Sequence, residues 1–137
     1  PVSMDGLLEE SDVITIHMNL TAENQGMFDL EKFKKMKRCP ILLNVARGGA
    51  VNEQDLVYAL DHNMVSGAGL DVLSSETPDM ITNPLVGREN VIITPHSAFY
   101  STTTEYLLYK IPAENVLRCL EGKYKDANRV VNGVGLE

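Results

Sequence analysis

Short apolar runs alternate with amphipathic stretches along most of the chain. The runs are "DVITIH" (12 to 17), "PILLNVA" (40 to 46), "GAGLDV" (67 to 72) and "NVIITPH" (90 to 96), and "DLEKFKKMKR" (29 to 38) and "NEQDLVYALDHN" (52 to 63) lie between them. Brief runs of β-branched and leucine residues read as strands, while longer stretches with charges on one side read as helices. Alternation of the two predicts a doubly wound α/β fold with a parallel sheet. "ILLNV" and "VIIT" are apolar on both faces, so these strands are expected to lie buried under helices on each side.

Boundary residues sharpen these elements. Asp29 has the chemistry of an N-cap, with Phe28 before it and Phe33 at the fourth helical position in the spacing of a hydrophobic staple. Lys34, Lys35, Lys37 and Arg38 then fall in what would be the final turns, where the helix dipole favours cations, and they read as a solvated face. Asn52 is expected to cap the next helix, with Asp55 adding a carboxylate to its first turn. Gly67 and Gly69 flank the entry to the third strand, where a missing β-carbon permits close backbone approach. "TTTEYLLYKIPAENVLRCLEG" (102 to 122) predicts a long helix that opens with Thr102 and Glu105 in capping-box spacing and stops near Gly122. Pro112 sits deep within it; an interior proline costs about 3 kcal/mol and deletes a backbone hydrogen bond, so a kink or break is expected near residues 109 to 111. The tail "KDANRVVNGVGLE" is expected to be irregular and mobile.

Composition narrows the function classes. The 137 residues, 44% hydrophobic and 23% charged, suffice for one globular domain with a sizeable core. A net charge of −7 argues against a nucleic-acid binder, which needs clustered positive charge. No apolar run approaches the roughly 20 residues that span a bilayer, and no charged-then-apolar leader opens the chain, so no membrane partner and a cytoplasmic protein are expected. Cys39 and Cys119 are too few and unpatterned for a disulfide framework or a metal site and read as reduced thiols. The chain starts at Pro1 and runs straight into a helix-like stretch, which suggests part of something longer.

In open parallel sheets ligands gather beyond the carboxyl ends of the strands. "ILLNVA" ends in Arg47 followed by Gly48 and Gly49, "GAGLDV" delivers Asp71 with Glu76 just beyond, and "VIIT" ends at Pro95 and His96. Singly each has a bland reading: a surface cation, a strand-end cap, a solvated acid, a packed core histidine. Together they have a chemical logic. A guanidinium grips a carboxylate at two points, a histidine exchanges a proton near neutral pH, and a neighbouring carboxylate orients the imidazole. That set suits a 2-hydroxy or 2-keto acid, and because nothing in it supplies a hydride, a nicotinamide cofactor is inferred.

At this point "LLEESDVITIHMNLTAENQGMF", "ILLNVARGGAVNEQDLVYAL", "GAGLDVLSSETP" and "NVIITPH" resemble the nicotinamide-binding domain of the D-isomer-specific 2-hydroxyacid dehydrogenases. The resemblance covers nearly the whole chain, and the spacings 71 − 47 = 24 and 76 − 71 = 5 are those of the family pattern. It implies a partial Rossmann-type doubly wound parallel sheet with a long C-terminal helix. Residues 1–100 would form the C-terminal half of an NAD-binding Rossmann domain, and 101–137 a C-terminal helix and tail. Arg47 would hold the substrate carboxylate and polarise its carbonyl, His96 would be the acid/base, and Glu76 would bond the imidazole when it carries the proton. Asp71 would face the cofactor carboxamide. Met18 and Asn19 would line the adenosine pocket, Asn24 would contact the cofactor nearby, and Val45 with Ala46 would pass under the nicotinamide ribose. Asn19 departs from the proline usual in the family.

"TPHSAFY" is similar to the D-lactate dehydrogenase branch, in which an aromatic such as Phe99 lines the substrate pocket, while "LDVLSSETP" is more like the glycerate dehydrogenase branch. A GxGxxG turn and an acidic ribose-binding residue are absent from the 137 residues, and with them the feature that separates NAD from NADP preference. The resemblance thus implies a portion of an enzyme that uses NAD to interconvert a small D-2-hydroxy acid and its 2-keto acid, a homodimer in the family manner, with the isolated chain inactive. An NADH-sensing regulatory protein, similar to the C-terminal binding protein corepressors, is the alternative from another class.

Overall fold

The computed structural model describes residues 1–123. It divides into two units, residues 1–98 and 99–137, so the expectation for the tail from Lys125 onward lies outside the described residues.

Unit 1 is a four-stranded sheet, β1 (Val13–Ile16), β2 (Ile41–Asn44), β3 (Gly67–Leu70) and β4 (Val91–Ile93), all parallel and in chain order β1-β2-β3-β4. Three helices accompany it: α1 (Met4–Glu10), α2 (Leu30–Phe33) and α3 (Glu53–Asp61). Strands laid down in order by right-handed crossovers put their connecting helices on one face. Register places Ile14, Leu42 and Ala68 in one row and Ile16, Asn44 and Leu70 in the next. These six are buried in the same core as Leu8 of α1, Phe33 of α2 and Leu56 of α3, Asn44 excepted as its polar member. Each fully buried leucine or phenylalanine there stabilises by about 2 kcal/mol.

The opposite face corrects one expectation. Val13, Ile41 and Ile92 are exposed, Ile92 at 70%, so β2 and β4, like β1, carry open apolar positions and, among the described residues, are covered on one side only. The reason is topological, since both helical crossovers fall on the same face. Gly69 on the open face lies where a Cβ would come within 2.7 Å of Leu43 Cδ2, and a Cβ at Gly67 would come within 3.0 Å of Asn90 O. Gly67 opens β3 and Gly69 is its third residue.

Local signals explain the helices. Asp29 accepts from the Lys32 N–H at 3.0 Å, with Phe28 and Phe33 both buried. Asn52 accepts from the Gln54 and Asp55 N–H groups. Asp55 Oδ2 also accepts from the Leu30 N–H at 3.0 Å, tying α3 to the start of α2. α2 stops at Phe33, well short of Arg38. The Lys35 and Met36 N–H groups bond carbonyls three residues back, and Cys39 takes φ +49° ahead of Pro40, which ends the helical spiral. These cations therefore leave the helix and pair outward, Lys35 with Asp5, Lys37 with Glu9 and Arg38 with Asp12.

Unit 2 contains α4 (Thr102–Leu120), which has no buried residue. Its N-cap is Ser101, whose hydroxyl accepts from the Thr104 N–H at 3.1 Å, one residue before the expected Thr102. The C-terminus is the expected one: Gly122 at φ +71° and the bonds Gly122 N–H to Cys119 O and Lys123 N–H to Arg118 O form a Schellman stop. The break expected near residues 109 to 111 does not occur, because α4 runs on through Pro112. Leu108, whose carbonyl loses its donor there, is 52% exposed, so water can replace the missing N–H. Among the described residues no helix is long and apolar enough to cross a membrane.

Candidate active site

The carboxyl ends of the strands form the edge at which open α/β sheets bind ligands. The ends of β3 and β4 are the more enclosed part. Asp71 follows β3 directly and is 4% exposed, a burial that a carboxylate tolerates only when hydrogen-bonded. Its Oδ1 accepts from the Thr94 hydroxyl and from the Ser97 N–H at 2.9 Å, and its Oδ2 from the Ala98 N–H at 2.8 Å. Burial pushes its pKa up, but the bonds from Thr94, Ala98 and Ser97, with His96 nearby, prevail and hold the carboxyl below its ordinary range. Asp71 is a carboxylate at neutral pH.

Asp71 also fixes the histidine. The His96 N–H donates to Asp71 O at 2.9 Å and is shared with Thr94 O at 3.0 Å. The backbone at His96 takes φ +52°, a left-handed conformation that costs a residue with a β-carbon about 1 kcal/mol. Clamping of the next two N–H groups by the Asp71 carboxylate over-determines that conformation. The imidazole lines a cavity of about 370 Å³, together with Asp71, Glu76, Val72, Met80 and Ile93. His96 Nδ1 lies 3.5 Å from Glu76 Oε2, with the two side chains 42% and 78% exposed. At that distance and exposure the pair is worth less than about 1 kcal/mol, so it orients the ring more than it stabilises the fold.

At the end of β2 the sequence hid a participant. Asn44 is 1% exposed; its Oδ1 accepts from the Ala46 N–H at 3.2 Å and its Nδ2 donates to Arg47 O at 3.0 Å. It shapes the turn that presents Arg47. The available signal was the single polar residue inside "ILLNV", since a buried amide must find partners. Arg47 is exposed, its Nη1 donates to Ala46 O at 2.7 Å, and it is not among the residues lining the cavity. The structure therefore gathers Asp71, Glu76 and His96, and leaves Arg47 at the neighbouring strand end with its guanidinium folded onto the Ala46 carbonyl.

The remaining unit 1 positions lie further along the edge. Met18 is half-buried and Asn19 exposed after β1. Asn24 closes the intervening loop, its Oδ1 accepting from the Thr21 N–H at 2.7 Å and its Nδ2 donating to Asn19 O at 2.8 Å. Val45 and Ala46 are half-buried. Phe99 belongs to unit 2, is 52% exposed and packs edge-on against Tyr100. A nicotinamide dinucleotide suits this donor set. Met18, Val45 and Ala46 offer partly open apolar surface, and Asp71 Oδ2, with one donor on it, retains acceptor capacity for an amide. Among the described residues no group of three or more His, Cys, Asp or Glu could hold a metal ion.

Comparison with known proteins gives a consistent picture. Residues 1–98 match the family model described as D-isomer specific 2-hydroxyacid dehydrogenase, NAD binding domain. The chain is 43% identical over 121 residues to a hydroxypyruvate reductase of Blautia hydrogenotrophica, covering 88% of this chain and 37% of that protein. It is 40% identical over 124 residues to a glycerate dehydrogenase of Methylorubrum extorquens, covering 89% and 39%. A crystal structure of D-lactate dehydrogenase with NAD+ from Lactobacillus jensenii superimposes with a TM-score of 0.86 at 28% identity, covering 94% of this chain and 42% of that one. The chain thus spans well under half the length of the relatives it matches.

Proposed function

The chain belongs to the D-isomer specific 2-hydroxyacid dehydrogenase family through its NAD binding domain, and we propose that the full-length protein transfers a hydride between NAD(H) and a small D-2-hydroxy acid or its 2-keto acid. The observation that carries this reading is the cavity at the ends of β3 and β4, which His96, in contact with Glu76, lines together with the buried Asp71. Bound NADH supplies the hydride.

The chain's own residues do the rest. Arg47 exchanges its bond to the Ala46 carbonyl for the substrate carboxylate, gripping it with two N–H donors and stabilising the charge that grows on the carbonyl oxygen. His96 gives that oxygen its proton in the reductive direction and takes it back in the oxidative one. With Nδ1 turned to Glu76, Nε2 is the nitrogen that exchanges the proton. Asp71 would accept from the cofactor carboxamide with the remaining capacity of Oδ2. Met18, Asn19 and Asn24 would border the adenosine, and Val45 with Ala46 would lie under the nicotinamide ribose. On sequence resemblance alone, Phe99 bounds the substituent of the acid. Two free cysteines, Cys39 and Cys119, suit the reducing cytoplasm, and a homodimer is the simplest closed assembly.

The test is NADH oxidation by the full-length protein with a panel of small 2-keto acids: glyoxylate, pyruvate and hydroxypyruvate. Turnover of at least one is expected, with Arg47→Ala raising its KM. No turnover on any member, despite saturable NADH binding, would overturn the proposal.

A further inference from the structure

Two elements that the proposed reaction needs together, the turn after β2 with Arg47 and the loop after β3 with Glu76, meet at a single peptide. Gly48 lies against it so closely that a Cβ would stand 1.9 Å from Leu73 O and 2.6 Å from Ser74 N. From the other side the Ser74 N–H donates to Oε1 of Glu53, the first residue of α3. Glu53 is half-buried and has no place in the cavity around His96. The next residues along the loop are Ser75, Glu76 and Thr77, held locally by the Thr77 N–H donating to Ser75 Oγ at 3.2 Å. Glu76 itself is largely solvated, and its contact with His96 is long. The position of its carboxylate therefore depends on where the loop begins.

We infer that Glu53 is a positioning residue for this reaction: with Gly48 it latches the Leu73–Ser74 peptide, so that the Arg47 turn and the Glu76 loop keep a fixed separation. The inference rests on the proposed function above and extends it to a residue outside the cavity. A helix-opening glutamate also answers the helix dipole, but that role does not require a partner 21 residues along the chain.

The experiment compares kcat/KM of full-length Glu53→Ala, Glu53→Gln, Glu76→Gln and the double variant Glu53→Ala/Glu76→Gln on the best 2-keto acid. Glu53→Ala is expected to lose about tenfold, the order of a hydrogen bond to a charged acceptor. Glu53→Gln keeps an acceptor oxygen and is expected to recover most of that loss. In the Glu76→Gln background Glu53→Ala should have little further effect, because it acts through Glu76. Wild-type activity in Glu53→Ala, an equal loss in Glu53→Gln, or losses that multiply in the double variant would each overturn the latch. Ser74→Pro removes the donor from an exposed position and must reproduce the Glu53→Ala loss; wild-type activity there overturns the latch even if Glu53→Ala fails to fold. A wild-type Glu76→Gln enzyme would instead contradict the role proposed for Glu76 itself.

Discussion

At the end of β2 the chain turns by leaving atoms out, whereas at the ends of β3 and β4 it turns by putting a charge in. Gly48 has no β-carbon where one would strike the Leu73 carbonyl, and the neutral amide of Asn44 ties the turn internally. Asp71, ionised and 4% exposed, binds the Thr94 hydroxyl and two N–H groups that follow His96. The first arrangement leaves Arg47 exposed and able to exchange partners. The second holds His96 in a left-handed conformation that its own preferences oppose. The substrate-gripping role proposed for this cation tolerates adjustment, since two-point binding selects its geometry on contact. A proton donor must already stand within hydrogen-bond reach of the atom it serves.

The contrast predicts a graded set of effects on the stability of the full-length protein. Gly48→Ala comes first, with a loss of about 4 kcal/mol or failure to accumulate, because backbone on the receiving side cannot yield as a side chain can; urea denaturation measures it. Asp71→Asn is next, at about 3 kcal/mol, since a network built for an acceptor with two charged oxygens receives an amide donor. This effect has a pH signature. A carboxyl held below its ordinary range stabilises above about pH 4 and loses that contribution as pH falls through its folded value. The gap between wild type and Asp71→Asn should therefore narrow between pH 7 and pH 3, and a constant gap would contradict the clamp. Asn44→Ala costs about 2 kcal/mol by orphaning the Ala46 N–H and the Arg47 carbonyl, and it should raise the KM for the keto acid more than it lowers kcat. His96→Gly is the smallest and has the opposite sign. Relief of the positive φ is expected to stabilise by about 1 kcal/mol while removing the proposed proton donor, and a destabilised variant would show that the imidazole holds the fold.

The sequence made visible whatever was local or periodic. Asp29 and Asn52 announced their caps, the apolar runs announced four strands in order, and Asp71, Glu76 and His96 followed from what strand ends deliver. What stayed hidden depends on contacts across the fold. The open face of β2 and β4 follows from crossover handedness, which no single run encodes. The early end of α2 follows from the backbone at Cys39 and Pro40 competing with a good helical pattern. Ser101 displaced Thr102 as N-cap because both have the right side chain and only the backbone chooses between them. The bond between Glu53 and Ser74 joins residues that no spacing rule relates. His96 is the instructive case, since a left-handed residue without glycine leaves no mark in sequence until the buried carboxylate that enforces it is seen.

The most direct test of the account is the single-turnover rate of NADH oxidation by full-length His96→Gln at saturating 2-keto acid, measured beside NADH affinity. A fall of about 10²- to 10⁴-fold, the range for a lost general acid, with NADH affinity nearly unchanged, is the predicted result. A rate within a few-fold of wild type would contradict the account, because the cavity, the Asp71 clamp and the Glu76 contact would then be holding a histidine that takes no part in the reaction.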